Sequence, residues 1–391
     1  MTPRERFGRP LRLAMLGGGP GSWIGGIHRT AAELDNAWRV VAGVFSGDPS
    51  RSRAAGAALG VDPARAYGDV DALIAAERGR DDGVEAVAIM TPNDSHYAYA
   101  RAALDAGLDV IADKPVARTL AEALDLCARS RAAGRVFAVT HGYSAYPMTR
   151  YARRLVRDGA IGAPRFVQVE YIQGGMAVRI EDDPDAKRNR WVVDPTRTGP
   201  SLVMDAIGCH AQHLVCSIAG ARVARVLADL TPLMAGRTLG DHASALIELD
   251  NGARGTYTAT QAAAGAENEI RVGVFGEKGH VQWSQRESTY LRFARQNEPL
   301  QVIGRGDRFL PPEIVALGRT PRGHPEGLRE AFANIYREAA DAVVARELGD
   351  APPDSEYPRI EDGAHTMAFV DACLASHRAR RWVDVAATPA S

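Results

Sequence analysis

Short apolar segments alternate with amphipathic ones over the first 140 residues. The predicted strands are apolar throughout, whereas the predicted helices repeat apolar residues every three to four positions. The predicted strands are 11–16, 38–45, 86–90, 109–112 and 136–140. The predicted helices are 24–34, 51–59, 69–76, 96–106 and 120–133. Apolar strands that alternate with helices indicate a parallel sheet covered on both faces.

The pattern changes near residue 145, where strand signals begin to follow one another directly. The predicted strands of this part are 165–173, 222–230, 243–249, 253–260, 269–275 and 279–284. Turn sequences at 250–252 and 276–279 predict hairpins and therefore a mostly antiparallel sheet. The Gly-, Pro- and Arg-rich stretch 304–326 is predicted to be a long loop, and 328–346 and 361–376 to be closing helices.

These patterns predict an α/β chain with two domains. Residues 1–145 are expected to form a doubly wound parallel-sheet domain that binds a dinucleotide. Residues 146–391 are expected to form an α+β domain with an open, mostly antiparallel sheet, which binds the substrate and makes oligomer contacts. The helix at 361–376 is expected to pack back on the first domain.

Charge and composition exclude several classes of protein. The 391 residues include 47 Lys and Arg and 48 Asp and Glu, for a net charge of −1. This balance argues against a nucleic-acid partner and against attraction to an anionic membrane. No apolar run reaches the 18 or so residues of a membrane span. Four scattered cysteines indicate neither a disulfide framework nor a zinc site, so we expect a cytoplasmic protein.

A glycine-rich loop follows the first predicted strand. Gly17 and Gly19 begin it, and Gly25 arrives about three residues later than in the usual spacing. Glycine lets the backbone approach a pyrophosphate, which the amides of a following helix can bind. The order strand, glycine loop, helix therefore favours a dinucleotide site over the alternative, a glycine-rich surface turn.

The end of the second strand bears on the choice between NAD and NADP. An acidic residue there binds the ribose of NAD, whereas an arginine accommodates the extra phosphate of NADP. Here Ser46 takes the place of the acid, Asp48 follows two residues later and Arg51 lies close in sequence. This pattern favours NAD and leaves NADP open.

Several motifs together resemble the GFO/IDH/MocA family of glucose–fructose oxidoreductase and inositol dehydrogenase. They are the glycine loop, the run Thr91-Pro92-Asn93-Asp94-Ser95-His96, the triplet Asp113-Lys114-Pro115, and the segments 208–210, 275–279 and 324–327. The resemblance implies a Rossmann domain and an NAD(P)-dependent dehydrogenase or reductase. Its substrate class would be a carbinol carbon of a sugar, glycoside or cyclitol. It also implies a homodimer or homotetramer, which an exposed apolar face of the open sheet would require as well.

The resemblance also implies roles for individual residues. Cofactor contacts are expected from Thr91, Pro92, Asn93, His96, Asp113, Lys114 and Trp191. The family pairs its tryptophan with an arginine, but Val192 follows Trp191 here.

Lys114 is the lysine of the family motif and a predicted catalytic residue. Pro115 biases it towards an extended backbone at the carboxyl edge of the sheet, where ligands bind in such folds. Its ammonium could stabilise developing alkoxide character on a reacting hydroxyl. The alternative is a solvated loop lysine.

His210 is the predicted acid/base, because a neutral imidazole can take the proton of a hydroxyl. The family acid that lies four residues before it falls on Ala206 here. Asp205, five residues before His210, would face another side of a regular helix unless a π-bulge intervenes. Either the acid is lost, or a bulge restores Asp205 as a catalytic residue.

Four further residues are predicted to contact substrate: Tyr143, Tyr146, His213 and His324. Core packing is the alternative for both tyrosines. His210 and His213 could begin a metal site, but no third ligand is evident, so we expect no metal.

Two other functions remain open on this fold. A redox-assisted lyase or glycosidase would retain NAD without net turnover. A non-catalytic NAD-binding sensor would explain the missing acid at Ala206.

Overall fold

The computed structural model describes residues 3–183 and 190–390, which form two sheets with their helices. The strands are β1 (Leu11–Gly17), β2 (Trp38–Val44), β3 (Ala86–Met90), β4 (Asp109–Ala112), β5 (Phe137–Val139), β6 (Pro164–Gln173), β7 (Val223–Thr231), β8 (His242–Leu249), β9 (Arg254–Thr260), β10 (Asn268–Gly276), β11 (Gly279–Ser284), β12 (Tyr290–Arg295), β13 (Gln301–Gly304) and β14 (Val383–Asp384). The helices are α1 (Pro3–Phe7), α2 (Trp23–Leu34), α3 (Pro49–Ala58), α4 (Val70–Arg78), α5 (His96–Asp105), α6 (Leu120–Ala133), α7 (Pro147–Arg157), α8 (Pro195–Thr198), α9 (Cys209–Ala219), α10 (Pro312–Val315), α11 (Leu328–Leu348) and α12 (Ile360–Ala379).

The first sheet is parallel, with strand order β2-β1-β3-β4-β5. Every residue of β3, β4 and β5 is buried, which explains why these strands read as uninterrupted apolar runs. From β1 the strand order first extends to β2 on one side and then continues with β3 on the other side of β1, so the order switches between β1 and β3. The loops that follow these two strands therefore flank the crevice where ligands bind in open α/β sheets.

The second sheet has the order β13-β12-β11-β10-β6-β9-β8-β7-β14 and is antiparallel except for the pair β6 and β9. Helix α9 packs on its inner face. The last two strands at one end of the sheet, β12 and β13, were not predicted, because arginines interrupt the apolar residues of β12 and β13 has only four residues.

The outer face of this sheet carries mostly polar and charged side chains, such as Gln168, Glu170 and Arg271. Exposed apolar side chains lie among them, namely Phe166, Leu246, Tyr290 and Val302. The predicted exposed apolar surface is therefore present in part.

The two closing helices pack on the first domain, and one of them also contacts the second sheet. Helix α12 packs against α6 and β5 of the first sheet and against β7 of the second. Helix α11 packs on α2, and the Trp38 Nε1–H donates to the Tyr336 carbonyl at 2.8 Å. The predicted boundary at residue 145 lies between β5 and β6. Among the described residues, no helix has the length and apolar character needed to cross a bilayer.

Candidate active site

The glycine loop is shaped by contacts that leave no room for side chains. Gly17 and Gly18 have φ values of +90° and +71°. A Cβ on Gly25 would lie 2.3 Å from the Cα of Gly18, so the loop rests directly on helix α2. The Ser22 hydroxyl caps this helix by accepting from the Gly25 N–H at 3.1 Å. Close backbone and a helix N-terminus together fit a dinucleotide pyrophosphate.

The residues after β2 form a capped helix start. Asp48 caps α3 by accepting from the Arg51 N–H at 2.9 Å, and the Asp48 N–H donates to the Ser46 hydroxyl at 3.2 Å. The hydrogen bond from Ser50 holds the pKa of Asp48 below its ordinary value. Asp48 thus carries a negative charge at this edge, while the Arg51 side chain is 78% exposed.

His96 joins the two loops that follow β3 and β4. Its Nδ1 lies 2.7 Å from the Pro115 carbonyl and its Nε2 lies 2.7 Å from the Thr91 carbonyl. The Asn93 amide reaches out of this domain and donates to the Thr198 carbonyl at 2.7 Å. The motif around Thr91 and Pro92 is therefore bonded to the loop after β4 through His96 and to the second domain through Asn93.

Lys114 crosses from the first domain to the second. Its backbone N–H donates to Asp113 Oδ1 at 2.8 Å, and the Thr140 hydroxyl donates to the same oxygen at 3.1 Å. The Lys114 ammonium donates to the Ala206 carbonyl at 2.5 Å and lies 3.5 Å from the Asp205 carbonyl. Lys114 is thus bound to the turn that leads into His210, rather than solvated.

That turn is a π-helix, Met204–Gly208, so the bulge considered as an alternative is present. The Cys209 N–H donates to the Met204 carbonyl five residues back, which leaves carbonyl oxygens of the turn to other donors such as Lys114. A Cβ on Gly208 would lie 2.3 Å from the Tyr257 hydroxyl, so the turn is pressed against the sheet. The extra residue between Asp205 and His210 is absorbed here.

The carboxyl group of Asp205 does not pair with His210. It accepts from the Ser201 N–H at 3.3 Å, and its Oδ1 has no hydrogen-bond partner among the described residues. Burial raises the pKa of Asp205 to about 8, against the lowering effects of the Ser201 hydrogen bond and the Lys114 charge. The bulge therefore restores the position of the acid along the helix but not an acid–imidazole pair.

His210 begins helix α9 in an aromatic and imidazole environment. The ring of Tyr143 meets it edge-on with centroids 5.0 Å apart, and the ring of His141 does so at 5.6 Å. Burial, and secondly the Lys114 charge, hold the pKa of His210 well below its ordinary value. The ring is therefore neutral near pH 7 and can accept a proton.

His141 was missed by the sequence analysis. It directly follows Thr140 at the end of β5, and its ring stacks on His213 with centroids 4.3 Å apart. Its position at the carboxyl edge of a parallel strand was the available signal.

Amide side chains surround the tyrosines beside His210 and were also missed. The hydroxyl groups of Tyr143 and Tyr171 lie 2.6 Å apart, and Tyr171 donates to Asn268 Oδ1 at 2.9 Å. Asn268 in turn donates to Gln285 at 2.9 Å, and Gln173 donates to Asn268. These side chains come from β6, β10 and the residue after β11, which only the sheet brings together.

Of the other predicted contacts, Tyr146 borders this cluster: its ring stacks on Tyr143 with centroids 6.3 Å apart and also packs on Trp283 at 5.2 Å. His324 is exposed, and its carbonyl accepts from Arg305 at 2.9 Å. Trp191 lies in the short turn Arg190–Val193, beside residues outside the described part. Among the described residues, no three His, Cys, Asp or Glu side chains are arranged so that they could hold a metal ion.

Comparison with protein-family models matches both halves of the chain. Residues 11–141 match the model described as the oxidoreductase family with an NAD-binding Rossmann fold. Residues 149–282 match the GFO/IDH/MocA C-terminal domain. The chain belongs to the GFO/IDH/MocA family and is an NAD-dependent oxidoreductase.

Individual relatives cover nearly the whole chain. An uncharacterized oxidoreductase of Bacillus subtilis (strain 168), YfiI, is 34% identical over 382 residues, 96% of this chain and 97% of the relative. An inositol dehydrogenase homolog from Azotobacter vinelandii, complexed with NAD⁺, has a TM-score of 0.92 at 37% identity, covering 96% of this chain and 97% of that chain. The same homolog complexed with NADH and myo-inositol has a TM-score of 0.90 at 36% identity, covering 96% and 98%.

Proposed function

We propose that this protein oxidises a carbinol carbon of a sugar, glycoside or cyclitol, or reduces the matching carbonyl. The observation that carries the proposal is the meeting of two groups from different domains. The Lys114 ammonium binds the Ala206 carbonyl in the turn that leads into His210, and His210 is a buried neutral imidazole. A neighbouring ammonium and imidazole can together supply the charge stabilisation and the proton acceptor that alcohol oxidation uses.

The cofactor is held by the first domain in this proposal. The residues assigned to it are Gly17, Gly19, Gly25, Ser46, Asp48, Thr91, Pro92, Asn93, His96 and Asp113. When bound, NAD supplies a nicotinamide that accepts hydride from the carbinol carbon. The ionised Asp48 supports NAD over NADP, because its charge would repel a ribose phosphate.

His210 accepts the hydroxyl proton in the oxidative direction, and Lys114 donates a hydrogen bond to the same oxygen. The ammonium stabilises the negative charge that develops there, which lowers the barrier for both directions. Asp205 is assigned no proton transfer, because its carboxyl group accepts from Ser201 instead of pairing with His210.

The amide and phenol groups beside His210 support a polyhydroxylated substrate. Asn268, Gln173 and Gln285 each offer both donors and acceptors, and a ring with several hydroxyl groups can match such a set. The relative from Azotobacter vinelandii binds myo-inositol, which makes a cyclitol the first compound to test. Tyr143 remains a proposed substrate contact, and so do Tyr146, His324 and Trp191 on weaker grounds. The predicted contact of His213 with substrate is not proposed again, because its ring stacks on His141 and lines another cavity.

Membership of an oxidoreductase family, with Lys114 and His210 both retained, supports an enzyme over a non-catalytic sensor. No contact favours the redox-assisted lyase or glycosidase.

We also propose a cytoplasmic homodimer or homotetramer. Its four free thiols suit a reducing compartment. The outer face of the second sheet, where Phe166, Leu246 and Val302 are exposed, is the proposed contact surface.

The deciding experiment is a screen of cyclitols, sugars and glycosides with NAD and with NADP, followed by NADH or NADPH absorbance. Steady NADH production with a cyclitol or sugar is expected. Conversion of a glycoside without net NADH would instead establish the lyase or glycosidase. Tight NAD binding with no conversion of any compound would contradict the proposal.

A further inference from the structure

Three imidazoles form a continuous row behind the proposed base. We call His210, His141 and His213 the histidine row. The ring of His141 lies between the other two, edge-on to His210 at 5.6 Å and stacked on His213 at 4.3 Å with the ring planes 8° apart. His210 and His213 lie on neighbouring turns of α9, while His141 comes from the end of β5. The row therefore runs from the proposed base, through the more deeply buried His141, to His213.

The ring nitrogens inside this row have no protein partner among the described residues. They are Nδ1 of His210, both nitrogens of His141, and Nδ1 of His213. His141 is 1% exposed, whereas His210 and His213 are each 8% exposed. Buried polar atoms in native proteins pair with protein groups or with ordered water. Four such nitrogens in one cluster therefore indicate that water bridges the rings.

The His213 end of the row borders a second cavity. His213 and His365 both line a cavity of about 510 Å³, together with Gln212, Arg222, Arg359 and Asp362. Its described lining includes neither Lys114 nor His210, so it is separate from the proposed substrate cleft. The row thus connects His210 with a cavity that His210 itself does not line.

We propose that His141 and His213 carry the proton released at His210 to this second cavity. The inference rests on the proposed function. Oxidation of a carbinol to a carbonyl releases a hydride, which NAD takes up, and one proton, which His210 accepts. The proton then passes through bridging water to His141, again to His213, and from there to water in the cavity. Each ring gives up one proton for every proton it accepts, so the row returns to its starting state.

The chemistry of the rings suits this task. Burial keeps the pKa of all three rings below the ordinary value, to about 4 for His213. A neutral imidazole carries one N–H and one bare nitrogen. It can therefore accept a proton at one nitrogen while it releases another, without holding a stable positive charge.

The fixed charges of Lys114 and Asp362 favour movement of a proton from His210 towards His213. The Lys114 ammonium lies at the active-site end and disfavours a proton on His210 and on His141. The Asp362 carboxylate lies at the cavity end and favours a proton on His213, while Arg150 and Arg153 oppose it there. His365, at the same cavity, faces Arg222, Asp362 and Asp250. The one carboxylate that acts on both cavity histidines is Asp362.

The experiment compares turnover in weak and strong buffer. His213→Ala removes the imidazole at the cavity end of the row. We expect kcat to fall about tenfold in weak buffer while KM stays unchanged. Added imidazole can enter the cavity and replace the missing ring, so kcat should recover in proportion to its concentration. Wild-type protein and the outer-sheet control His280→Ala should not respond to imidazole.

A second variant and a second measurement keep the test decisive. His213→Gln fills the same space with an amide that does not relay protons at neutral pH, so its kcat should stay low even with imidazole. In nitrogen-15 histidine spectra of the protein without substrate, His213→Gln should shift the His141 and His210 signals, while His280→Ala should shift neither.

The outcomes separate the relay from the proposed function. Wild-type kcat in both His213 variants in weak buffer, or a loss in His213→Ala that imidazole does not restore, would overturn the relay alone. Failure of the wild-type protein to form NADH with any cyclitol, sugar or glycoside would overturn the proposed function and the relay with it.

Discussion

The loops of the first domain and the histidine row, which joins the end of β5 to α9 of the second domain, differ in how their polar groups are bonded. Both ring nitrogens of His96 lie against carbonyl oxygens, and Asp113 Oδ1 accepts from two donors. In the histidine row, by contrast, four buried nitrogens have no protein partner. A fully paired network holds one geometry, whereas an unpaired imidazole remains free to gain and lose a proton. The first arrangement suits binding and the second suits proton transfer.

The largest effect is expected where the two arrangements meet. Lys114→Met and His210→Ala should each lower kcat by about 10² to 10⁴, because each removes a group that acts on the reacting hydroxyl. NAD affinity should change little, since most proposed cofactor contacts remain. Steady-state kinetics and calorimetric NAD titration measure the two quantities.

Lys278→Met and His280→Ala, on the second sheet away from the site, are the matched controls. Full activity in both the Lys114 and His210 variants would refute the assignment of roles.

The next effect concerns stability and separates the paired from the unpaired histidines. His96→Phe leaves the Thr91 and Pro115 carbonyls without their partner and should reduce the free energy of unfolding by about 2 kcal/mol or more. His210→Phe removes a buried nitrogen that has no protein partner, so its free energy of unfolding should stay within about 1 kcal/mol of wild type.

Urea denaturation measures both variants. Equal losses of stability would show that the histidine row is as firmly bonded as the loops.

A third effect is the dependence of stability on pH. The pKa values of His28 and His213 are lowered to about 4 by burial, so below about pH 6.5 the unfolded chain binds protons that the folded chain does not. Stability should therefore fall as the pH drops from 6.5 towards 4, by about 1–2 kcal/mol per buried imidazole at pH 5. Asp205, whose pKa is raised from 3.8 to about 8, acts in the opposite sense: its contribution is complete below about pH 4 and is lost progressively as the pH rises to about 8.

Urea midpoints at pH 7.5 and pH 5 test this sign. His213→Asn should flatten the dependence, because it removes one titrating ring, and an unchanged slope would contradict the burial argument.

The smallest effect lies at the ribose end of the cofactor site. Asp48→Ala removes the cap of α3 and should cost about 1 kcal/mol of stability. It should also raise the ratio of NADP to NAD activity, since a negative charge is lost beside Arg51. Asp69→Ala removes the equivalent cap of α4, where Asp69 accepts from Ala72 at 2.7 Å, and should cost similar stability without changing cofactor preference. Equal preference in both variants would remove Asp48 from the cofactor site.

The amino-acid sequence alone predicted the two sheets and the glycine loop. It also identified Lys114 and His210 as candidate catalytic residues. Those features depend on local patterns: apolar runs, turn residues and short motifs that act within a few residues of one another. For Asp205 it left two alternatives, a lost acid or a π-bulge, because the spacing to His210 was one residue too long for a regular helix.

Only the tertiary structure decided what those side chains meet. The π-turn depends on the packing of Gly208 against Tyr257, and the direction of the Asp205 carboxyl group depends on Ser201. The histidine row joins β5 to α9, and the amide cluster joins β6 to β10 across the sheet. Contacts between residues distant in the chain leave no periodic signal in it, because they are set by how the elements pack.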